Sequence, residues 1–383
     1  TGVNTTAGTR PRVYYKRSTD ANAYNDNTNA TDGWKYVEAN GAGGSPFDFT
    51  INYSLLNGGT GVVAGQTVQY FVVAQDIAAP TVGVSPIGFA AAQTSVALTG
   101  AAFPVTGSAS SYIISLTYAG TINVGPTETI TTLTGAGGLF SLLNAGIVTG
   151  NITANITGDI TTETGANALN EITEEPAASN FTLTIKPSAT PRVVSGTSTA
   201  GLITLNGADR ITIDGSFNGT NSKDLTIQNT ATTANTATIK LVSLGDGLGA
   251  NNNTIKNCII KGGAGTADIY GIHIGGALIT TTSTGGSNNN LSILNNSVSL
   301  AYYGMYSSGT STGRNLNTIV TGNSFGSAVL AERLKARGLF IGQTDGTTVS
   351  GNTVFDVINA LQNIRGMEFG TGCINATVSS NSV

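Results

Sequence analysis

The chain has one histidine, His273, set in the alternation Gly271-Ile272-His273-Ile274-Gly275. Related alternations recur downstream and upstream. The place of the histidine in each is taken by Thr204, Lys240, His273, Tyr306, Phe340 and Glu368. Stacked one per turn at the ~4.8 Å separation of paired strands, these would form a stripe about 25 Å long. A row of aromatic and polar groups suits a sugar chain, with rings stacking on Tyr306 and Phe340. His273, Tyr306, Phe340 and Glu368 are therefore the candidate glycan-binding residues. The competing expectation is that variable loops fold over this face and bury the rings.

Other chemistry is thinner. Hydrolysis of a glycosidic bond wants two opposed carboxyl groups, and Asp345 with Glu368 is the one pair to weigh, of which only Glu368 faces outward on the stripe. The segment "STDANAYNDNTNATDGW" (18–34) gathers Asp20, Asp26 and Asp32 among asparagines. Oxygen ligands at alternate positions suit Ca²⁺, but the order of an EF-hand loop is absent, and a solvated turn is the simpler reading. No cofactor is expected. "AERLKARG" (331–338) reads as a charged loop with room for one helical turn.

The elements that would position these residues repeat. Aligning "NTIKNCII", "LSILNNSV", "NTIVTGNSF", "GTTVSGNTVF" and "NATVSSNSV" on one asparagine gives Asn257, Asn296, Asn323, Asn352 and Asn381, at intervals of 39, 27, 29 and 29 residues. A second phrase precedes each of the last four, with glycines at 271, 304, 338 and 366. Fixed-period self-similarity of this size means a stacked architecture. The strands are short, and no unit carries a helical stripe. Variable lengths between constant strands fit a parallel β-helix, whose loops lengthen freely while strands keep register. The asparagines then sit at a sharp corner that tolerates positive φ, and their amides form a ladder along the stack. Inward columns are expected at Ile255, Ile293, Ile319, Val349 and Val378 before the corner, and at Ile259, Val298, Phe325, Val354 and Val383 after it. "GAGGLFSLLNAGIV" (135–148) is the one predicted helix. Placed at 137–146, with Leu139, Leu142 and Leu143 apolar, it caps the open end of the coil.

Residues 1–88 have a different grammar. "RVYYKR", "WKYVEA", "FDFTINY" and "TVQYFVVAQD" read as four longer alternating strands of an antiparallel sandwich. In the third, Phe47, Phe49, Ile51 and Tyr53 share a face; in the fourth, Val68, Tyr70, Val72 and Ala74 do. Residues 89–110, rich in Ala, Ser, Thr and Gly, read as a linker, leaving 111–383 for the β-helix. Cys258 and Cys373 fall about four turns apart, roughly 19 Å, too far for a disulfide, so both thiols are expected free and buried.

Composition bounds the rest. Of 383 residues 39% are hydrophobic but only 10% charged, against about 25% in an ordinary domain. Thr, Ser, Asn and Gly must supply solubility, which favours a secreted bacterial surface protein. The formal net charge of −4 argues against a nucleic-acid partner, and no apolar run approaches the ~18 residues of a membrane span. The opening "TGVNTTAGTR" lacks the apolar core of a secretion signal, so a removed signal or an interior piece is expected. The final turn is unfinished at Val383, which leads us to expect a longer parent protein or a partner stacked on that end.

The repeat resembles the pectin-lyase-like right-handed β-helix class, especially its NosD-like variety, over residues 112–383. "VQYFVVAQD" resembles a late strand of fibronectin-type-III-like and Ig-like domains. Hydrolases of the β-helix class show N-x-D, a paired Asp-Asp, G-H-G and R-x-K. Here no Asp-Asp occurs, His273 lies between isoleucines, and Arg333-Leu334-Lys335 alone matches the last. The whole resembles multi-module surface proteins of Bacteroidota through "VQYFVVAQD", "GAGGLFSLLNAGIVTGNITANITGDIT" and "LITLNGADRITIDGSF". That resemblance implies a non-catalytic adhesin, stalk or filament protein outside the cell. Its partners would be other copies or modules, or a polysaccharide. A carbohydrate-active β-helix enzyme is the alternative.

Overall fold

The computed structural model describes residues 2–41, 43–78, 82–265, 268–358 and 363–383. The chain forms two compact units, Thr1–Leu116 and Thr117–Val383.

The first unit is built on one five-stranded antiparallel sheet: Arg12–Arg17, Lys35–Glu38, Thr67–Gln75, Val82–Ser85 and Ser110–Ile113. Its long strand Thr67–Gln75 buries side chains on both faces. Phe71 and Val73 join Tyr14 and Trp34 on one side, and Val68 joins Val13, Tyr15 and Leu56 on the other. Val68, Tyr70 and Val72 share the second of these faces, as the alternation predicts, although Val72 is exposed there. The segment 47–53 is no strand. Phe49, Ile51 and Tyr53 do pack on the second cluster, but the chain then turns into a short 3-10 helix, Tyr53–Leu55, capped by Asn52.

Residues 89–110 are not a linker. Val96, Leu98, Ala102, Phe103 and Val105 are buried in the first cluster. The Tyr14 hydroxyl donates to the Val96 carbonyl at 2.8 Å and accepts from the Leu98 amide at 2.9 Å. Small residues dominate this stretch, but five apolar ones suffice to anchor it. The unit boundary therefore moves from 110/111 to 116/117, and Ser110–Ile113 pairs with Thr67–Gln75 instead of opening the coil.

The second unit is a right-handed parallel β-helix. Three parallel sheets, of nine, seven and seven strands, run along it, with a two-stranded ladder at one corner. The interior is filled by columns of like positions: a strand of a seven-stranded sheet supplies two, as Ile239 with Leu241 and Ile272 with Ile274 do, and one column of the nine-stranded sheet is Ile185, Ile213, Ile255 and Ile293. In the next turn Val320 fills the column and Ile319 is exposed; likewise Ile260, not Ile259, points inward. Both of these phrases hold two adjacent apolar residues, and a shift of one exchanges the faces. Val378 continues the column in register with the buried Val349, and on this last turn both it and Val383 are exposed.

The phrase glycines are explained by stacking. A Cβ on Gly304 would lie 2.4 Å from the Gly338 carbonyl oxygen, and one on Gly338 would lie 2.5 Å from that of Gly366. Successive turns approach backbone to backbone there, so only glycine fits.

The one α-helix among the described residues, Leu139–Ala145, buries Leu139, Phe140 and Leu143 against the first turns; Leu142, expected inward, is only half-buried. Seven residues are too few to be helical alone. The preceding loop is pinned by Glu163, whose buried carboxylate accepts the Leu133 and Thr134 amides at 2.5 and 2.7 Å.

Candidate functional site

The stripe is in register. Thr204 pairs with Lys240, Lys240 with His273, His273 with Tyr306, Tyr306 with Phe340 and Phe340 with Glu368. Parallel pairing of like positions forces the rings to stack. His273 lies on Tyr306 with ring centres 5.2 Å apart and planes 16° apart, and Tyr306 on Phe340 at 4.9 Å and 7°.

The column is not an open platform. His273 and Tyr306 are 0% and 1% exposed, because residues 276–287 cross over them as a strap. The Tyr306 hydroxyl donates to the Thr281 and Ser283 carbonyls at 2.9 and 3.1 Å. His273 Nε2 lies 3.3 Å from the Thr280 carbonyl, and Lys240 Nζ donates to that of Ala277 at 2.6 Å. As an accessible sugar-binding surface, His273 and Tyr306 are therefore corrected: the loop buries them. Burial pushes the His273 imidazole down to about 4, with the Lys240 ammonium adding to the effect. Its Nδ1 is buried with no protein partner.

Phe340 and Glu368 remain half-buried at the far end. Glu368 is bridged by Arg337 at 2.9 Å and by Arg365, and the Arg337 guanidinium also lies over the Tyr303 and Phe340 rings. Sequence reasoning missed this second outward column, Tyr270, Tyr303, Arg337 and Arg365. Its signal was present, since each of these residues immediately precedes a phrase glycine.

The ladder asparagines behave differently from their assignment at one position. Asn296 Nδ2 donates to Asn323 Oδ1 at 3.0 Å, Asn323 to Asn352 at 2.9 Å and Asn352 to Asn381 at 3.0 Å. Asn257 is outside this ladder. Cys258 holds the equivalent seat, its amide donating to Asn296 Oδ1 at 3.0 Å. Asn257 instead matches Asn295, which donates to it at 2.9 Å. Asn257, Asn295, Gly322, Gly351 and Ser380 carry the positive φ of the corner, so the ladder residues themselves are not the left-handed ones.

The three candidate carboxylates of the first unit are engaged within the protein. Asp20 pairs with Arg17 at 2.6 Å, and Asp26 accepts the Thr31 and Thr28 hydroxyls at 2.7 and 2.8 Å, which hold its carboxyl down at about 2. Asp32 accepts the Ala21 amide at 3.1 Å. These three residues cap turns, and among the described residues no cluster of three metal-ligating side chains forms. In the coil, Asp345 accepts from Asn375 at 2.8 Å and lies on a different strand from Glu368. Arg333 pairs with Asp356 at 3.1 Å and Lys335 donates to the Gly265 carbonyl at 2.6 Å. Their loop carries a short 3-10 helix, Leu330–Glu332, and Leu334 is buried. Cys258 and Cys373 are both free thiols; Cys258 is buried and Cys373 half-buried.

No protein-family model matches the chain, and no curated protein matches it. Among solved structures it is similar to the pectin methylesterase of Aspergillus niger, at 14% identity and a TM-score of 0.35, over 70% of this chain and 88% of that one. It is also similar to the Streptococcus pneumoniae surface protein and adhesin PfbA, at 12% identity and a TM-score of 0.25, over 69% and 84%. The fold assignment rests on the strand pairing above.

Proposed function

We propose that the chain is a non-catalytic extracellular protein of a bacterial surface, an adhesin or stalk segment. Its first unit then corresponds to the fibronectin-III/Ig-like module of Bacteroidota-type surface proteins. Its partners are other modules or copies of such a protein, or a polysaccharide. The observation that carries the reading is the division of labour among the corners. From Thr254–Lys256 onward the corner between the nine-stranded sheet and its successor keeps one or two residues per turn, such as Asn257, or Gly322 and Asn323, whereas an earlier turn inserts 215–224 there. The return to that sheet ranges from 207–210 in one turn to the stretch 276–291 in another. A frame of constant strands with variable loops at fixed places suits display, because loop length barely changes the free energy of the frame.

A pectin methylesterase and an adhesin both stand among the similar structures, and both readings are compatible with this fold. The chain's own residues favour display: its histidine is sealed under the strap and Glu368 is bridged by two arginines. A second reading, passive glycan binding, draws on the half-buried end of the column at Phe340 and Glu368. Two assays separate these. Incubation with methyl-esterified pectin and with polygalacturonate should release neither methanol nor reducing ends; release that Glu368→Gln abolishes would refute the non-catalytic reading. Antibodies raised against the chain should label intact cells of its source, and labelling only after lysis would refute the surface location. Retention on a glycan array that Phe340→Ala removes would favour the second reading.

A further inference from the structure

The strap over the ring column is held in an unusual way. Side chains of three successive turns, Lys240, His273 and Tyr306, bond to its backbone carbonyls at Ala277, Thr280, Thr281 and Ser283. One apolar side chain of the strap, Ile279, is buried in the coil's core, while Leu278 is exposed. Three ring- or cation-bearing neighbours face the imidazole: Lys240 from the turn before, Tyr306 from the turn after, and Tyr270 edge-on at 5.0 Å from its own strand. The strap contributes only carbonyl groups, and among the described residues no carboxylate pairs with the imidazole.

We propose that residues 276–287 form an acid-released strap: a proton taken up at His273 opens it and uncovers His273 and Tyr306. The geometry gives the reason. A second cation would stand next to the Lys240 ammonium in a column closed to water, and like charges in such a place repel strongly. The new N–H at Nδ1 would have no acceptor, since Nδ1 has no partner in the closed arrangement, and an unmet buried donor is costly. Lifting the strap lets water reach both nitrogens. The strands beneath are held by ladder bonds on both sides and need not move.

Amide hydrogen exchange, normalised to intrinsic rates, tests this at pH 7.5 and 4.5 on the full chain. The reporters are the strap amides of Gly276, Ser283, Gly285 and Ser287, which bond to Ser283 Oγ and to the Thr280, Ser308 and Gly313 carbonyls. Burial sets the imidazole near 4 against an ordinary 6.5, so strap protection should fall on the order of 50-fold at pH 4.5, while Ile269–Gly275 keeps its own. His273→Phe retains a stacked ring without the proton and should abolish the pH dependence; His273→Gln is the second variant should that one fail to fold. Tyr306→Phe removes two strap bonds and should lower protection at both pH values, leaving the pH dependence in place. The proposal is overturned if wild-type strap protection changes by less than about threefold, or if the His273 variants respond to acid as the wild type does.

Discussion

Replacing Asn323 by leucine should destabilise the coil more than the same change at Asn296, although the two are chemically alike. The difference follows from counting donors. Asn323 Oδ1 accepts two bonds, from the Asn296 amide at 2.9 Å and Asn296 Nδ2 at 3.0 Å. Asn296 Oδ1 accepts only the Cys258 amide, at 3.0 Å, because the turn before ends in a thiol instead of an amide. Each residue also donates to a carbonyl of the nine-stranded sheet, Ile293 and Ile255 respectively. Asn323 makes a further, longer bond to the Thr321 carbonyl at 3.2 Å, which keeps the Asn295 amide as donor, so these losses nearly cancel in the comparison. Asn323→Leu strands two buried donors and Asn296→Leu one. At about 1–3 kcal/mol per stranded donor, Asn323→Leu should cost roughly 2–6 kcal/mol and Asn296→Leu roughly half as much. In the double variant the Asn296 Nδ2 is gone, leaving the Cys258 and Asn296 amides. Its cost should fall short of the sum of the singles by one donor, about 1–3 kcal/mol. Urea unfolding of the three variants measures this directly. Equal costs for the two single variants, or strict additivity in the double, would refute the ladder as drawn.

Three further outcomes are expected. Gly304→Ala should cost several kcal/mol or prevent folding, since the added methyl meets the Gly338 carbonyl at 2.4 Å and the Phe325 ring at 2.8 Å; a melting temperature within a degree of wild type would contradict the stacking. A thiol reagent should label Cys373 in the native protein and Cys258 only after unfolding, because burial closes off Cys258 and drives its thiol up; labelling of both at one rate would refute the placement of Cys258. Global stability should fall as the pH drops from 6.5 towards 4. The folded imidazole lies near 4 through burial, so the unfolded chain binds the proton first, and about 3 kcal/mol present above pH 6.5 is lost by pH 4. Denaturant midpoints at pH 7.5 and 4.5, with His273→Phe as control, should show that slope only in the wild type.

What could be read from the sequence divides along the same physical line as these tests. The coil was legible because each turn repeats a strand grammar, and repetition survives small errors of phase. Phase itself was not always legible. At the corner "IKNCI" offers one asparagine where "ILNNS" offers two, and a single asparagine matches either the left-handed corner or the ladder seat. Only the pairing of Leu225 with Cys258 and of Ile259 with Ser297 decides that Asn257 is the corner. Ile319 beside Val320 poses the same choice. Period two names the alternation but not its origin, and a slip of one residue exchanges inside and outside. In 89–110 the small residues outnumber the apolar ones, so composition hid a segment that Tyr14 and five apolar side chains hold in place. The ring column shows a deeper limit. Alternation tells which side chains leave a sheet outward, and it told this correctly for His273, Tyr306 and Phe340. Whether such residues meet solvent depends on where the strap runs, and the strap is held through carbonyls that every residue type possesses. A loop held mostly by its backbone leaves little signature in its own side chains beyond the buried Ile279; the trace of it lies in the buried lysine, histidine and tyrosine beneath.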